Sequence, residues 1–257
     1  TLPLRILYNE SNHEVNPFIL NKARKGADEM GERRGMNNTH LKNRNRGLVL
    51  QLIACEGPLS RVEIARRVGL TKMAVGNIVS DLIAEGYVEE IGAVGASSTV
   101  GRNPTLLRIA SGAPGAIGVY LGRGQLSVIL ADMTRRILIR KTSVLRDETR
   151  DSLSQKLLTT LSQVRRDSPI PLLGIGVATI GPLDTEKRIM LRPLRFFGIS
   201  RYPVAALLEE SSGLPAYLEN DMNAAALAER LYGVGRRLDN FLYIGLSDGV
   251  GAGIISG

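Results

Sequence analysis

The sequence predicts an α/β chain in two parts: a small helical head with a β wing, then a larger domain of alternating strands and helices. Three observations carry this. The 257 residues and 27.8 kDa exceed the roughly 100 to 200 residues of one typical domain. With 44% hydrophobic and 23% charged residues and a mean hydropathy of +0.01, the composition is that of an ordinary globular protein with a sizeable core. Apolar residues are spaced for helices until about residue 84, then fall into short runs separated by helical stretches.

The elements follow in order. Residues 1–36 mix Gly, Asn, Glu and Arg around Lys22-Ala-Arg24-Lys25 and Gly31-Glu-Arg33-Arg34-Gly35 without a sustained period, and read as a flexible basic arm. It is either a solvated tail or a source of extra phosphate contacts. Residues 37–110 form the next unit. Leu48, Val49, Leu52 and Ile53 mark the buried stripe of a first helix that stops at Gly57-Pro58. Ser60-Arg61-Val62-Glu63 has the form of a capping box at the start of a second helix, with Val62, Ile64, Ala65 and Val68 apolar and Gly69 closing it. Thr71 is placed to cap a third helix, whose Val75, Ile78, Val79, Leu82 and Ile83 recur at i, i+3, i+4, i+7 and i+8. The opposite face then carries Lys72, Met73, Gly76, Asn77 and Ser80, small or polar and mostly uncharged. Two short strands flank Gly92-Ala-Val-Gly95.

Helix, tight turn, helix and two strands make a winged helix-turn-helix pattern. The alternative is generic three-helix packing. In the DNA-binding reading the third helix enters the major groove, where Thr71, Lys72, Met73, Asn77 and Ser80 reach base edges or backbone. Arg102 in Gly101-Arg102-Asn103-Pro104 is an ordinary turn residue or a minor-groove contact after the wing. Arg44 and Arg46 at the start of the first helix either clamp phosphates or line a solvated face.

Ser111-Gly-Ala-Pro-Gly115 reads as a linker into residues 111–257. Beyond it, strands are expected at 117–121, 126–131, 137–142, 173–178, 216–218, 241–246 and 251–255. Helices are expected along Leu153, Leu157, Leu161 and Val164, at 204–210 and at 223–231.

Charge and composition bound the function. The net charge of +8 and pI near 9.9 favour an anionic partner, nucleic acid before a membrane surface. The excess is not localised: residues 1–110 carry 15 basic and 11 acidic side chains and residues 111–257 carry 18 and 14, so each part is +4. With no Trp and 4% aromatics, stacking platforms for single strands are scarce, which points to double-stranded DNA. No apolar run approaches the roughly 18 to 20 residues of a membrane span. Cys55 alone forms no internal disulfide, and His13 and His40 supply no zinc cluster, so a cytoplasmic setting without metal or other cofactor is expected.

Within the second part, Glu219-Asn220-Asp221 ends a strand at a helix start, where α/β sheets bind ligands at their C-terminal edge. Asp221 there either caps the helix or, with Asn220, exchanges hydrogen bonds with adjacent hydroxyls of a bound molecule. Three segments carry a family resemblance: Gly174-Ile-Gly-Val-Ala-Thr-Ile-Gly181-Pro182-Leu-Asp184, then Leu214-Pro-Ala-Tyr-Leu-Glu219-Asn220-Asp221-Met222-Asn223 with its Ala-rich helix and Gly233-x-Gly235, and Asp239 through Gly249-Val-Gly251-Ala-Gly253. Over about residues 40–257 the chain resembles the ROK family, which groups bacterial sugar-responsive repressors with sugar kinases of the actin-like ATPase, or ribonuclease H-like, fold.

The resemblance implies that Asp221 stands where the kinases keep the general base for the sugar hydroxyl, and Asn220 where they keep a further sugar contact. It also exposes departures. The kinases open this domain with Asp-x-Gly-x-Thr for metal and phosphate, and the corresponding residues are Tyr120-Leu121-Gly122-Arg123-Gly124. Their second phosphate loop, Gly-Thr-Gly-x-Gly, reads Ser247-Asp248-Gly249-Val250-Gly251, with a carboxylate added where phosphate is held. Phosphoryl transfer depends on positioning and charge stabilisation at the phosphates, so no ATP turnover is expected even with Asp221 present. The family's downstream His- and Cys-rich zinc loop has no counterpart. The first residue is not Met and Gly257 follows the second glycine loop directly, so an incomplete ROK domain is expected. Phe196-Phe197-Gly198 lies where the family often has an Asn-, Gly- and Trp-containing sugar loop, or is simple core.

These readings combine in a transcriptional regulator, a repressor of sugar catabolism or transport genes, that binds double-stranded DNA and a sugar or sugar-derivative effector without phosphorylating it. The resemblance and operator symmetry imply a homo-oligomer, dimer or tetramer. The alternatives are an ATP-dependent sugar kinase with a DNA-binding head, and a DNA-bound scaffold whose second domain recognises a protein partner.

Overall fold

The computed structural model describes residues 38–92, 105–246 and 249–257. The basic arm, the wing tip with Arg102, and Ser247 and Asp248 lie outside the described residues.

The head begins with α1 (Asn38–Glu56), β1 (Leu59–Ser60), α2 (Arg61–Val68) and α3 (Lys72–Ala84), and ends with β2 (Val88–Ile91) and β3 (Leu106–Ile109). The Ser60 hydroxyl accepts from the Glu63 amide while the Glu63 carboxylate accepts from the Ser60 amide, the reciprocal capping box that sets where α2 starts. Gly69 closes α2 at φ +69, a left-handed conformation that favours glycine, so the chain turns sharply into α3. Thr71 Oγ1 accepts from the Ala74 amide at 3.2 Å and caps α3. Val75, Ile78, Val79 and Leu82 face a core shared with Val49, Ile53, Ile64 and Leu107. The small antiparallel sheet has the order β1-β3-β2, with Leu59 opposite Leu107 and Val88 opposite Ile109.

One expectation for the head is corrected: Leu48 is 40% exposed and does not belong to the buried stripe of α1. The segment 111–115 between the two parts is packed at both: Ala113 lies in the head's core and the Gly115 amide donates to the Pro171 carbonyl at 2.8 Å.

The second domain holds a five-stranded sheet of order β10-β7-β4-β5-β6. Its strands are β4 (Gly115–Leu121), β5 (Gln125–Ala131), β6 (Ile137–Val144), β7 (Leu172–Thr179) and β10 (Ala216–Asn220); a small β8 (Leu183–Asp184) and β9 (Ile189–Met190) pair lies outside it. Strands β4, β7 and β10 pair in parallel, and β5 runs antiparallel to both of its neighbours, β4 and β6. Helix α4 (Arg150–Arg166) turns Leu153, Leu157, Leu161 and Val164, all fully buried, toward the sheet residues Ile117, Val119, Val128 and Leu130. Helix α5 (Val204–Ser212) joins the same core through Val204, Ala205 and Leu208. Phe196 is fully buried there and its ring meets Phe197 at 5.2 Å, so the core reading of that loop holds. Helix α6 (Asp221–Tyr232), a 3-10 turn (Val234–Arg237), β11 (Phe241–Leu246) and β12 (Val250–Ile255) close the chain around a separate small core of Ala226, Phe241 and Ile255. Among the described residues no helix is long and apolar enough to cross a membrane.

Candidate functional site

The sheet directs its parallel strands at one edge, and a cleft of about 630 Å³ opens there. Its walls are the β4–β5 hairpin (Tyr120, Gly122, Arg123, Gly124), the turn after β7 (Ile180, Gly181), the β10–α6 junction (Asn220, Asp221, Met222) and the glycines of β11 and β12. Asn220 caps α6: its Oδ1 accepts from the amides of Met222 at 2.9 Å and Asn223 at 3.4 Å. Its amide nitrogen lies on the Gly181 side, where a side chain at 181 would meet it at 3.5 Å. Asp221 Oδ1 accepts from the Met222 amide at 3.0 Å, and Glu219 braces the junction by accepting from the Asn220 amide and the Asn223 side-chain amide. Asn220, rather than Asp221, is therefore the cap, and Asp221 lines the cleft.

Burial pushes the Asp221 carboxyl above the usual carboxylate range, against hydrogen bonds from the backbone and the Arg123 charge, which pull it down. A raised folded-state pKa means the protonated form is the better tolerated one, so this group's contribution to stability is present at acid pH and lost as pH rises through the folded pKa. Asp221→Asn is accordingly expected to melt at a higher temperature than the parent chain at pH 7, with the difference vanishing below about pH 4. Melts across that range check it, and a lower melting temperature at pH 7 would contradict it.

Arg123 stands in the stretch that departs from the kinase pattern. Its Nε donates to the Leu194 carbonyl at 3.0 Å, linking the hairpin to the 191–203 loop, and its guanidinium comes within reach of Gly249 across the cleft. The Tyr120 hydroxyl lies over Gly122, where any side chain would meet it at 2.5 Å. Three glycines of β11 and β12 have a packing role: side chains at Gly245 and Gly251 would collide with the Met222 side chain, and one at Gly253 with the Met222 carbonyl and Ala226 of α6. That Tyr120 covers Gly122 and that the Met222 side chain fills the space beside Gly245 and Gly251 is not legible in the sequence. Among the described residues no group of three or more His, Cys, Asp or Glu side chains is placed to hold a metal.

In the head, Lys72, Met73, Asn77 and Ser80 are exposed together on the outer face of α3, Met73 at 77%, and nothing lies within 4 Å of where a Gly76 side chain would point. Thr71 is exposed at the helix start with its hydroxyl committed to capping. Arg44 is exposed and, among the described residues, without an ion-pair partner. Arg46 differs from expectation. Its guanidinium pairs with both Glu85 oxygens and lies over the Tyr87 ring at 5.8 Å. A bidentate Arg–carboxylate pair across 39 residues braces α1 against the end of α3, so Arg46 is not the free solvated cation of the other reading.

The face of α3 gives a second expected outcome. If Lys72 meets phosphate and Asn77 a base edge, Lys72→Ala weakens specific and random duplexes alike and lowers the salt slope by about one. Asn77→Ala then costs about 1–3 kcal/mol on the specific site only. Equal losses on both duplexes for Asn77→Ala, in salt-titrated binding, would contradict its role.

Comparison with known proteins agrees with this geometry. Residues 42–89 match a winged helix-turn-helix DNA-binding family and residues 116–257 match the ROK family. A xylose repressor of Caldicellulosiruptor bescii is 30% identical over 225 residues, covering 85% of this chain and 55% of the relative. A xylose repressor of Bacillus subtilis is 29% identical, covering 84% and 56%. Among solved structures, a ROK family transcriptional regulator described as a homolog of the Escherichia coli MLC protein superposes with a TM-score of 0.69 at 26% identity, over 84% of this chain and 55% of that one. A ROK hexokinase from Thermus thermophilus reaches 0.50 at 31% identity over 56% of this chain and 47% of its own. The chain spans about half the length of the curated relatives it matches. With the family match extending over more than half the chain and the Asn220–Asp221 junction at its cleft, this protein belongs to the ROK family.

Proposed function

We propose that this chain is a DNA-binding transcriptional regulator, a repressor of sugar catabolism or transport genes, whose ROK domain binds a sugar or sugar derivative without phosphorylating it. The observation that carries this reading is one chain holding both an exposed, mostly uncharged face on α3 and a cleft that keeps Asn220 and Asp221 while its hairpin has Tyr120 and Gly124 where the kinases keep Asp and Thr. The first feature suits a major groove. The second suits hydroxyl recognition without a nucleotide site. Similarity to proteins named xylose repressor supports the same reading.

In this reading Thr71, Lys72, Met73, Asn77 and Ser80 face the groove, Arg44 and Arg102 add backbone or minor-groove contacts, and Asn220 with Asp221 hold sugar hydroxyls. Regulation requires that the sugar bind two arrangements of the chain with different affinity. A homo-oligomer would present two heads to a two-fold operator.

The test is a thermal-shift screen with a panel of sugars, run beside an ADP-release assay at high protein concentration. One sugar at 100 times its Kd should raise stability by about 2.7 kcal/mol with no ADP formed. Sugar-dependent ADP release would overturn the reading in favour of a kinase.

A further inference from the structure

The head is held by both of the bodies that wall the cleft. On one side Ala113 packs in the head's core two residues before β4 begins, and Met133, from the turn between β5 and β6, packs against the same core. On the other side the second small body, α6 with the 3-10 turn, β11 and β12, meets α1: Cys55 Sγ donates to the Leu231 carbonyl at 3.7 Å, and Arg236 reaches Glu56 at 3.6 Å. Glu56 also pairs with Arg67 of α2, so this contact continues into the helix-turn-helix. The five-stranded sheet and the second body have separate cores, and the chain passes from one to the other at Asn220–Asp221.

We propose that α6 couples the cleft to the head: its first turn forms the cleft wall, its last turn and the 3-10 segment grip α1 at Cys55 and Glu56, and occupancy of the first end is felt at the second. Twelve residues at 1.5 Å each make a rod of about 18 Å, hydrogen-bonded along its length and moving as one piece. A tilt of about 5° at the cleft shifts its far end by about 1.5 Å, within the 1–2 Å helix shifts that operate at regulated interfaces. Because the head is also tied to the sheet through Ala113 and Met133, it cannot follow both bodies when the angle between them changes. Leu231 and Arg236 act here through α1, as positioning residues.

The inference rests on the sensor reading only for the identity of the occupant, so its test begins without one. Cys55, the chain's single cysteine, lies at the contact and reports on it through its rate of alkylation by iodoacetamide. Asn220→Ala removes the cap of α6 at the cleft, and Thr149→Ala removes a cap of the same kind from α4. The first should raise the Cys55 rate at least about threefold and the second by less than about 1.5-fold, both read on folded protein. Arg236→Ala, a surface change at the far end, should speed hydrogen exchange of the Met222 and Asn223 amides by about threefold, since coupling is reciprocal. Equal Cys55 rates in the two cap variants, or unchanged exchange in Arg236→Ala, would overturn the coupling. A sugar that stabilises the chain but leaves the Cys55 rate unchanged would also overturn it while leaving the sensor reading intact. Absence of any sugar binding beside the expected cap and exchange results would count against the sensor reading and support the coupling.

Discussion

Leu82→Ala is expected to abolish DNA binding while the ROK domain stays folded. Leu82 is fully buried in the head's core beside Val75, Val79 and Ile64, and it lies on the face of α3 opposite Asn77 and Ser80. Removing a buried Leu side chain costs about 2–5 kcal/mol, through lost transfer energy and the cavity left behind. A head of this size buries too little surface to absorb that loss, since whole domains are stable by only about 5–15 kcal/mol. The other domain has its own core, so the damage stays local. Hydrogen exchange checks it: amides of α3 should exchange at least about 30-fold faster while those of α4 keep their protection. Equal acceleration in both helices would mean that the two parts fold as one unit.

The second large effect belongs to the cleft. Asp221→Ala should weaken the effector by at least about 30-fold, because hydrogen bonds to a charged acceptor are each worth about 1.5–3 kcal/mol. DNA affinity without sugar should stay within about twofold, since Asn220, which caps α6, remains in place and Asp221 is not on the α3 face. Isothermal titration with the sugar and salt-matched DNA binding separate the two quantities. Undiminished sugar binding would remove Asp221 from the ligand site.

Much of this architecture was legible because burial and periodicity coincide. Leu153, Leu157, Leu161 and Val164 predicted one face of α4, and all four are fully buried. The capping box at Ser60 and the strand-to-helix switch at Asn220–Asp221 were legible for a similar reason: both depend on neighbours in sequence. What escaped depends on distant partners. Leu48 looked like core because it is apolar and in phase, yet α1 has two neighbours, and Leu48 lines a groove facing the ROK domain instead. Strand β1 is two residues long and exists only through its pairing with Leu106 and Leu107. Arg46 read as a free cation because Glu85 lies 39 residues away. In the cleft, the carboxylate and amide were visible as types, whereas Tyr120 over Gly122 and Met222 under the glycines follow from close packing alone.

The central claim is that one chain joins DNA binding to sugar recognition, and a gel shift with DNA from upstream of its own operon tests it most directly. Run with and without a panel of sugars and sugar phosphates, the account predicts a specific complex that one of them releases, with Asp221→Ala forming the same complex but ignoring the sugar. A specific complex that no sugar affects, or release that persists in Asp221→Ala, would contradict it.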